Sequence, residues 1–82
     1  MQQKYKYLRL LDKSLLELIL RNSDLTQREY DILKSSLIKD DYIEKTCMDL
    51  AISASTYRNA KDNALGKVHL TFCAIIRNAL KN

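Results

Sequence analysis

Eighty-two residues, 46% of them hydrophobic, suffice for one small domain, and a chain this short often completes its core with a partner or a second copy. One glycine and no proline exclude phosphate-cradling glycine loops and leave few residues for the tight turns of a many-stranded fold. Lys and Arg number 14 against 10 Asp and Glu, a formal net charge of +4, and no apolar run approaches the ~18 residues of a membrane span. The stretch Met1 to Lys6 leads into Leu periodicity interrupted by charges, which is not the pattern of a signal peptide. The expectation is a small, all-α, soluble cytoplasmic module of four to five helices.

The first helix is expected from about Lys4 to Arg21. Tyr7, Leu8, Leu11, Leu15, Leu18 and Ile19 recur there at helical spacing. Asn22-Ser23-Asp24 breaks it. In Leu25-Thr26-Gln27-Arg28-Glu29-Tyr30, Thr26 and Glu29 have the spacing of a capping box, and Leu25 and Tyr30 that of a hydrophobic staple. This helix continues through Ile32, Leu33 and Leu37 to about Lys39. Asp40-Asp41 breaks the pattern again, and Asp41 with Glu44 offers a cap-like start for a short helix from Tyr42 to about Leu50, with Ile43, Cys47 and Leu50 on one face. Ser53 then caps a last helical stretch whose buried face is marked by Tyr57, Ala60 or Lys61, Ala64 or Leu65, and Val68, and later by Phe72, Ile75 or Ile76, and Ala79 or Leu80. Gly66 costs only ~1 kcal/mol within a helix, so this stretch is one long helix or two; a break within 66–70 is favoured.

Cys47 and Cys73 are the only cysteines and His69 the only histidine. Without a CxxC pair a zinc site or thioredoxin-like centre lacks its ligands, so no metal, no cofactor and no catalytic residue is assigned. Two unpaired cysteines fit a reducing compartment, and the bland reading of His69 is a surface or partly buried side chain. Charge is uneven. Residues 1–22 carry five bases and two acids, residues 23–50 four bases and seven acids, and residues 51–82 five bases and one acid. A basic face toward phosphate and an acidic face toward a protein is one reading; ordinary solvated helix faces is the other.

The unit of short helix, tight connection and helix has the spacing of a helix-turn-helix. Such a motif needs a small inner residue on its first helix, here Cys47, an aliphatic residue tucked into the turn, Ile52, an N-cap, Ser53, and an apolar residue four positions later, Tyr57. Ala54, Ser55, Thr56, Arg58, Asn59 and Lys61 would then face a major groove, where hydroxyls, an amide and a guanidinium bind base edges and phosphates. A plain helical hairpin would use the same caps.

Leu25 to Val68 resembles the four-helix DNA-binding unit shared by the promoter-binding region 4 of bacterial sigma factors and the LuxR/GerE type of response-regulator output domain. Leu25-Thr26-Gln27-Arg28-Glu29 with Ile32-Leu33 is similar to the LTxRExxVL opening, Ile52-Ser53-x-x-Thr56-Tyr57-Arg58 to ISxxTV[KR], and Asn63-Ala64-Leu65-Gly66-Lys67-Val68 to KALRKL. The Ser-Thr-Tyr-Arg form also looks like small sigma-like regulators of phages and mobile elements, the ArpU/RinA sort. Ala54 and Ser55 stand where the sigma pattern places Arg-Glu, and Ala60 where LuxR-type sequences often carry His. The resemblance implies a transcriptional regulator of double-stranded DNA, with only Arg58 and Asn59 at contacting positions of the family pattern; the helix-turn-helix reading adds Ser53, Ser55, Thr56 and Lys61 as DNA contacts, with Lys67 on phosphate.

On this reading 25–68 is the core unit, 4–22 an added N-terminal helix and 69–82 an apolar tail, the two additions forming a homodimer surface. The alternative is a non-catalytic interaction protein that binds RNA polymerase or a sigma factor through the same fold, using the acidic segment Asp40, Asp41, Glu44 and Asp49. A structural bundle with no nucleic-acid role is a third reading.

Overall fold

The computed structural model describes residues 3–81, most of which are helical and none of which lies in a strand. Met1, Gln2 and Asn82, the outermost residues of the N-terminal segment and of the apolar tail, lie outside the described residues. A 3-10 helix over Gln3–Leu10 is followed by α1 (Lys13–Asn22), α2 (Gln27–Leu33) with a π-helical extension (Lys34–Ile38), α3 (Ile43–Leu50) and α4 (Ala54–Lys81).

The first helix expected from the Leu stripe is thus two helices. Asp12 breaks the stripe: it takes an extended ψ of 141°, and its carboxylate accepts the Ser14 backbone N–H at 3.0 Å, capping α1. Upstream, Tyr5, Leu8 and Leu11 are spaced by three, the period at which a 3-10 helix stacks side chains in one row. Leu8 is fully buried, and Tyr5 and Leu11 pack against the core.

The start of α2 forms as its residue pattern requires. Thr26 Oγ1 accepts the Glu29 N–H at 3.2 Å and Glu29 Oε1 accepts the Thr26 N–H at 2.9 Å. Leu25 and Tyr30 both pack against the core. The π-helical turn then ends on Asp40, whose φ of 59° lies in the left-handed region that Asp tolerates better than most residues.

Asp41 does not cap α3. The N-cap is Tyr42, with no side-chain bond, because Asp41 is used otherwise: its N–H donates to the Ser35 carbonyl at 2.9 Å and its carboxylate lies 3.8 Å from Lys45 Nζ. The inner face of α3 is also turned from the one expected. Thr46 is the buried residue, Cys47 is half-buried, and Ile43 is 47% exposed. Thr46 therefore fills the small inner position assigned to Cys47. Its hydroxyl is satisfied by the Tyr42 carbonyl at 3.4 Å, so a polar residue is tolerated there.

The core lies where α1, α2 and α4 meet. Leu16, Ile19 and Leu20 from α1, Leu33 and Leu37 from α2 and its extension, and Ala64, Leu65 and Val68 from α4 form one buried cluster with Leu8. The expected break near Gly66 is absent, and α4 runs unbroken for 28 residues, about 42 Å of helix. That length accounts for the 45 Å long axis of the molecule against 23 and 19 Å across. Over its first four turns α4 packs on the other helices; residues 74–81 are exposed. No helix is long and apolar enough to cross a membrane among the described residues.

Candidate nucleic-acid interface

Helix α3, a connection of three residues and α4 form the helix-turn-helix arrangement. The turn is closed by backbone bonds. Ala51 N–H donates to the Met48 carbonyl at 3.2 Å and Ile52 N–H to the Cys47 carbonyl at 3.0 Å, the paired bonds of a Schellman ending. Ala51 takes the left-handed conformation this requires, with φ 55°, a position that costs a non-glycine residue roughly 1–2 kcal/mol. Ile52 is half-buried.

Ser53 starts α4. Its Oγ accepts the Thr56 N–H at 3.1 Å, and its carbonyl accepts the Tyr57 N–H at 2.9 Å. The Ser53 hydroxyl lies 3.0 Å from Thr56 Oγ1 and 3.4 Å from Ser55 Oγ, so three hydroxyls gather over the positive end of the helix dipole. Arg58 and Asn59 follow on the exposed surface, with Arg58 Nε 3.4 Å from the Ala54 carbonyl.

What holds this end of α4 is Tyr57, 2% exposed, with the buried Ser36 side chain of the π-helical turn acting on its phenol. Burial pushes the Tyr57 phenol above its usual range, and Ser36 offsets this only in part. Ser36 is itself buried, so the π turn supplies the polar partner that a buried tyrosine needs. The spacing of Tyr57 predicts its burial; nothing local predicts Ser36 as its partner.

Lys61 sits at the edge of this surface, half-buried, with Nζ 5.7 Å above the Tyr57 ring. Burial lowers its pKa, the nearby Arg9 charge lowers it further, and Asp62 acts the other way. Lys67 is placed differently from the others. Its Nζ donates to Glu29 Oε1 at 2.8 Å, tying α4 to the capping box of α2. Burial alone would raise the Glu29 pKa, but the bonds from Lys67 and from the Thr26 backbone outweigh it and hold the carboxyl below its ordinary value. Of the seven residues assigned from the sequence, Ser53, Ser55, Thr56, Arg58 and Asn59 therefore share one end of α4, Lys61 borders it, and Lys67 serves an internal ion pair.

His69 is half-buried and contacts the N-terminal helix. Burial raises the Tyr7 phenol, with smaller contributions from Cys73 and Tyr5, and its hydroxyl lies 2.7 Å from His69 Nδ1. The other ring nitrogen of His69, Nε2, is 3.6 Å from Cys73 Sγ. Tyr7 also packs on Phe72, with ring centroids 5.2 Å apart. Phe72, expected on an open dimer surface, is thus partly covered by the chain's own first helix. Among the described residues no group of three or more His, Cys, Asp or Glu is placed to hold a metal ion. No family model matches the chain, and no curated protein and no solved structure matches it.

Proposed function

We propose that this protein is a DNA-binding transcription regulator of the cytoplasm that inserts the N-terminal end of α4 into the major groove. The observation that carries the reading is the exposed end of α4. Three hydroxyls, a guanidinium and an amide from Ser53 to Asn59 stand at the positive end of a helix, and the buried Tyr57 and the closed turn before it hold their orientation. Such an end offers donors and acceptors for base edges together with a field that favours phosphate. The sigma-like and LuxR-like spacing of the sequence agrees with this use. No catalytic step or cofactor is part of the proposal.

A single module contacts little DNA, so the regulator is proposed to act as a homodimer. Ile75 and Ile76 on the tail and Leu15 and Leu18 on α1 remain exposed, with Leu80 82% exposed at the end of α4. A second reading, binding to RNA polymerase or a sigma factor, is favoured by one feature. The acidic α3 region, with Asp40, Asp41, Glu44 and Asp49, also exposes Tyr42 by 80% and Met48 by 81%.

The test is fluorescence anisotropy on a labelled pool of random-sequence duplexes over a salt series. The wild type should bind with an affinity that falls linearly on a log–log salt plot, and Arg58→Ala combined with Asn59→Ala should weaken it. Binding that survives the double substitution unchanged refutes the assignment of α4. Polymerase recovered from nuclease-treated lysate, with no duplex binding, favours the second reading.

A further inference from the structure

Three cations of the bundle meet a carboxylate on a helix of the core or on their own helix: Lys67 meets Glu29, Arg21 meets Glu17, and Lys45 lies between Asp41 and Asp49. The group around Arg9 is placed differently. Arg9 ends the N-terminal 3-10 helix, next to the fully buried Leu8, which anchors the backbone there. Its Nη1 is 3.3 Å from Asp40 Oδ1, but the pair is open to water, with Arg9 46% and Asp40 80% exposed, and exposed pairs of this kind contribute little.

Leu8, the residue before Arg9, packs in one buried cluster with Ala64 and Leu65 of α4, and the Arg9 charge acts on Tyr57 and Lys61, one to two turns earlier on that helix. Lys61 is half-buried over the Tyr57 ring, so part of its hydration is already lost. Arg58 precedes it by three residues and is therefore its neighbour along the helix surface. Three cations from two elements about fifty residues apart in sequence thus border the exposed end of α4, opposed by Asp40 and Asp62. Holding like charges together while dehydrating one of them is unfavourable, and an anion at this edge would relieve it.

We propose that Arg9, Arg58 and Lys61 form a phosphate-binding edge beside α4, where a DNA backbone phosphate takes the place of Asp40 as the partner of Arg9. The inference rests on the DNA-binding reading and adds to it that the N-terminal helix belongs to the nucleic-acid interface. Backbone contacts of this kind fix the register of a recognition helix without reading sequence. Asp40 then acts as an internal stand-in that occupies Arg9 when no DNA is bound.

The experiment extends the salt series to Arg9→Gln, Arg9→Lys, Lys61→Gln and Asp40→Asn, with circular dichroism as the check on folding. Removing either cation should weaken binding on every duplex alike and reduce the salt slope by about 1, while Arg9→Lys should keep the wild-type slope. Asp40→Asn keeps a residue that tolerates the left-handed backbone, frees Arg9, and should tighten binding several-fold. This variant remains diagnostic if Arg9→Gln proves poorly folded. Unchanged slopes in Arg9→Gln and Lys61→Gln, with Arg58→Ala plus Asn59→Ala still weakening binding, overturn the edge and leave the DNA reading intact. Absence of wild-type binding on any duplex removes both. Inorganic phosphate that displaces duplex from the wild type but not from Arg9→Gln, against chloride at equal ionic strength, assigns the site to free phosphate and also overturns the proposal.

Discussion

The two halves of α4 share one backbone and little else. From Ala54 to Val68 the helix buries Tyr57, Ala64, Leu65 and Val68 against α1, α2 and α3. Beyond Phe72 the residues that continue the apolar pattern lie in the open: Ile75 is 39% exposed, Ile76 44% and Leu80 82%. The apolar pattern along a helix therefore states which face seeks cover; whether cover exists depends on how far the other elements reach. Here α1 and α2 are 10 and 7 residues long and cannot follow a helix of 28. The 3-10 helix covers one further turn through Tyr7 on His69 and Phe72, and there the packing ends.

The sharpest way to break this contrast is truncation of leucines in the two halves. Leu65→Ala, at 1% exposure, should lower unfolding stability in urea by ~2–5 kcal/mol, whereas Leu80→Ala should stay within about 0.5 kcal/mol. Equal losses at the two sites would mean that the tail is packed in solution, as in a dimer, and light scattering on the same samples would report that.

Tyr57→Phe examines the packed half at its polar contact. It removes the buried phenol hydroxyl on which the Ser36 side chain acts and should cost about 1–3 kcal/mol, read from the same urea transitions. A neutral result would show that Ser36 finds another acceptor and that the π-helical turn is not what orients the start of α4.

The smallest effect is expected at the join. A Cβ on Gly66 would meet only the Tyr5 hydroxyl, at an ordinary 3.8 Å. Gly66→Ala should therefore raise stability by roughly 0.5–1 kcal/mol, measured by thermal unfolding. A loss instead would indicate that α4 bends there in solution.

Features made of neighbouring residues are the ones the sequence exposes most fully. The box of Thr26 and Glu29 and the Ser53 cap each need only residues within three positions, and each forms, while Leu25 and Tyr30 both pack against the core. Asp12 and Asp41 show the limit of the same logic. Both are good caps by type. Asp12 caps a helix where the Leu stripe suggested continuity, while Asp41 is drawn off by Ser35 and Lys45 and caps nothing. Residue type states what a side chain can bond to, and its neighbours in space decide which bond wins.

The candidate interface divides in the same way. Ser53 to Asn59 are legible because they follow a turn and a cap in sequence. Lys67, expected on phosphate, also meets Glu29, 38 residues away in sequence, a partner that no local pattern announces. Arg9 could not be found at all from spacing, since Asp40 and Lys61 reach it only after the chain has folded back.

The residue pattern alone determined that the chain is all helical, that its central and last helices start at Thr26 and Ser53, and that Tyr57, Leu65 and Val68 point inward. Those properties follow from local hydrogen bonding and from the period of apolar side chains, which act over one or two turns. Only the tertiary structure decided the inner face of α3, the unbroken course of α4 and the meeting of Arg9 with Lys61. Each of these depends on which surfaces are brought together at long range, where packing and charge outweigh local preference.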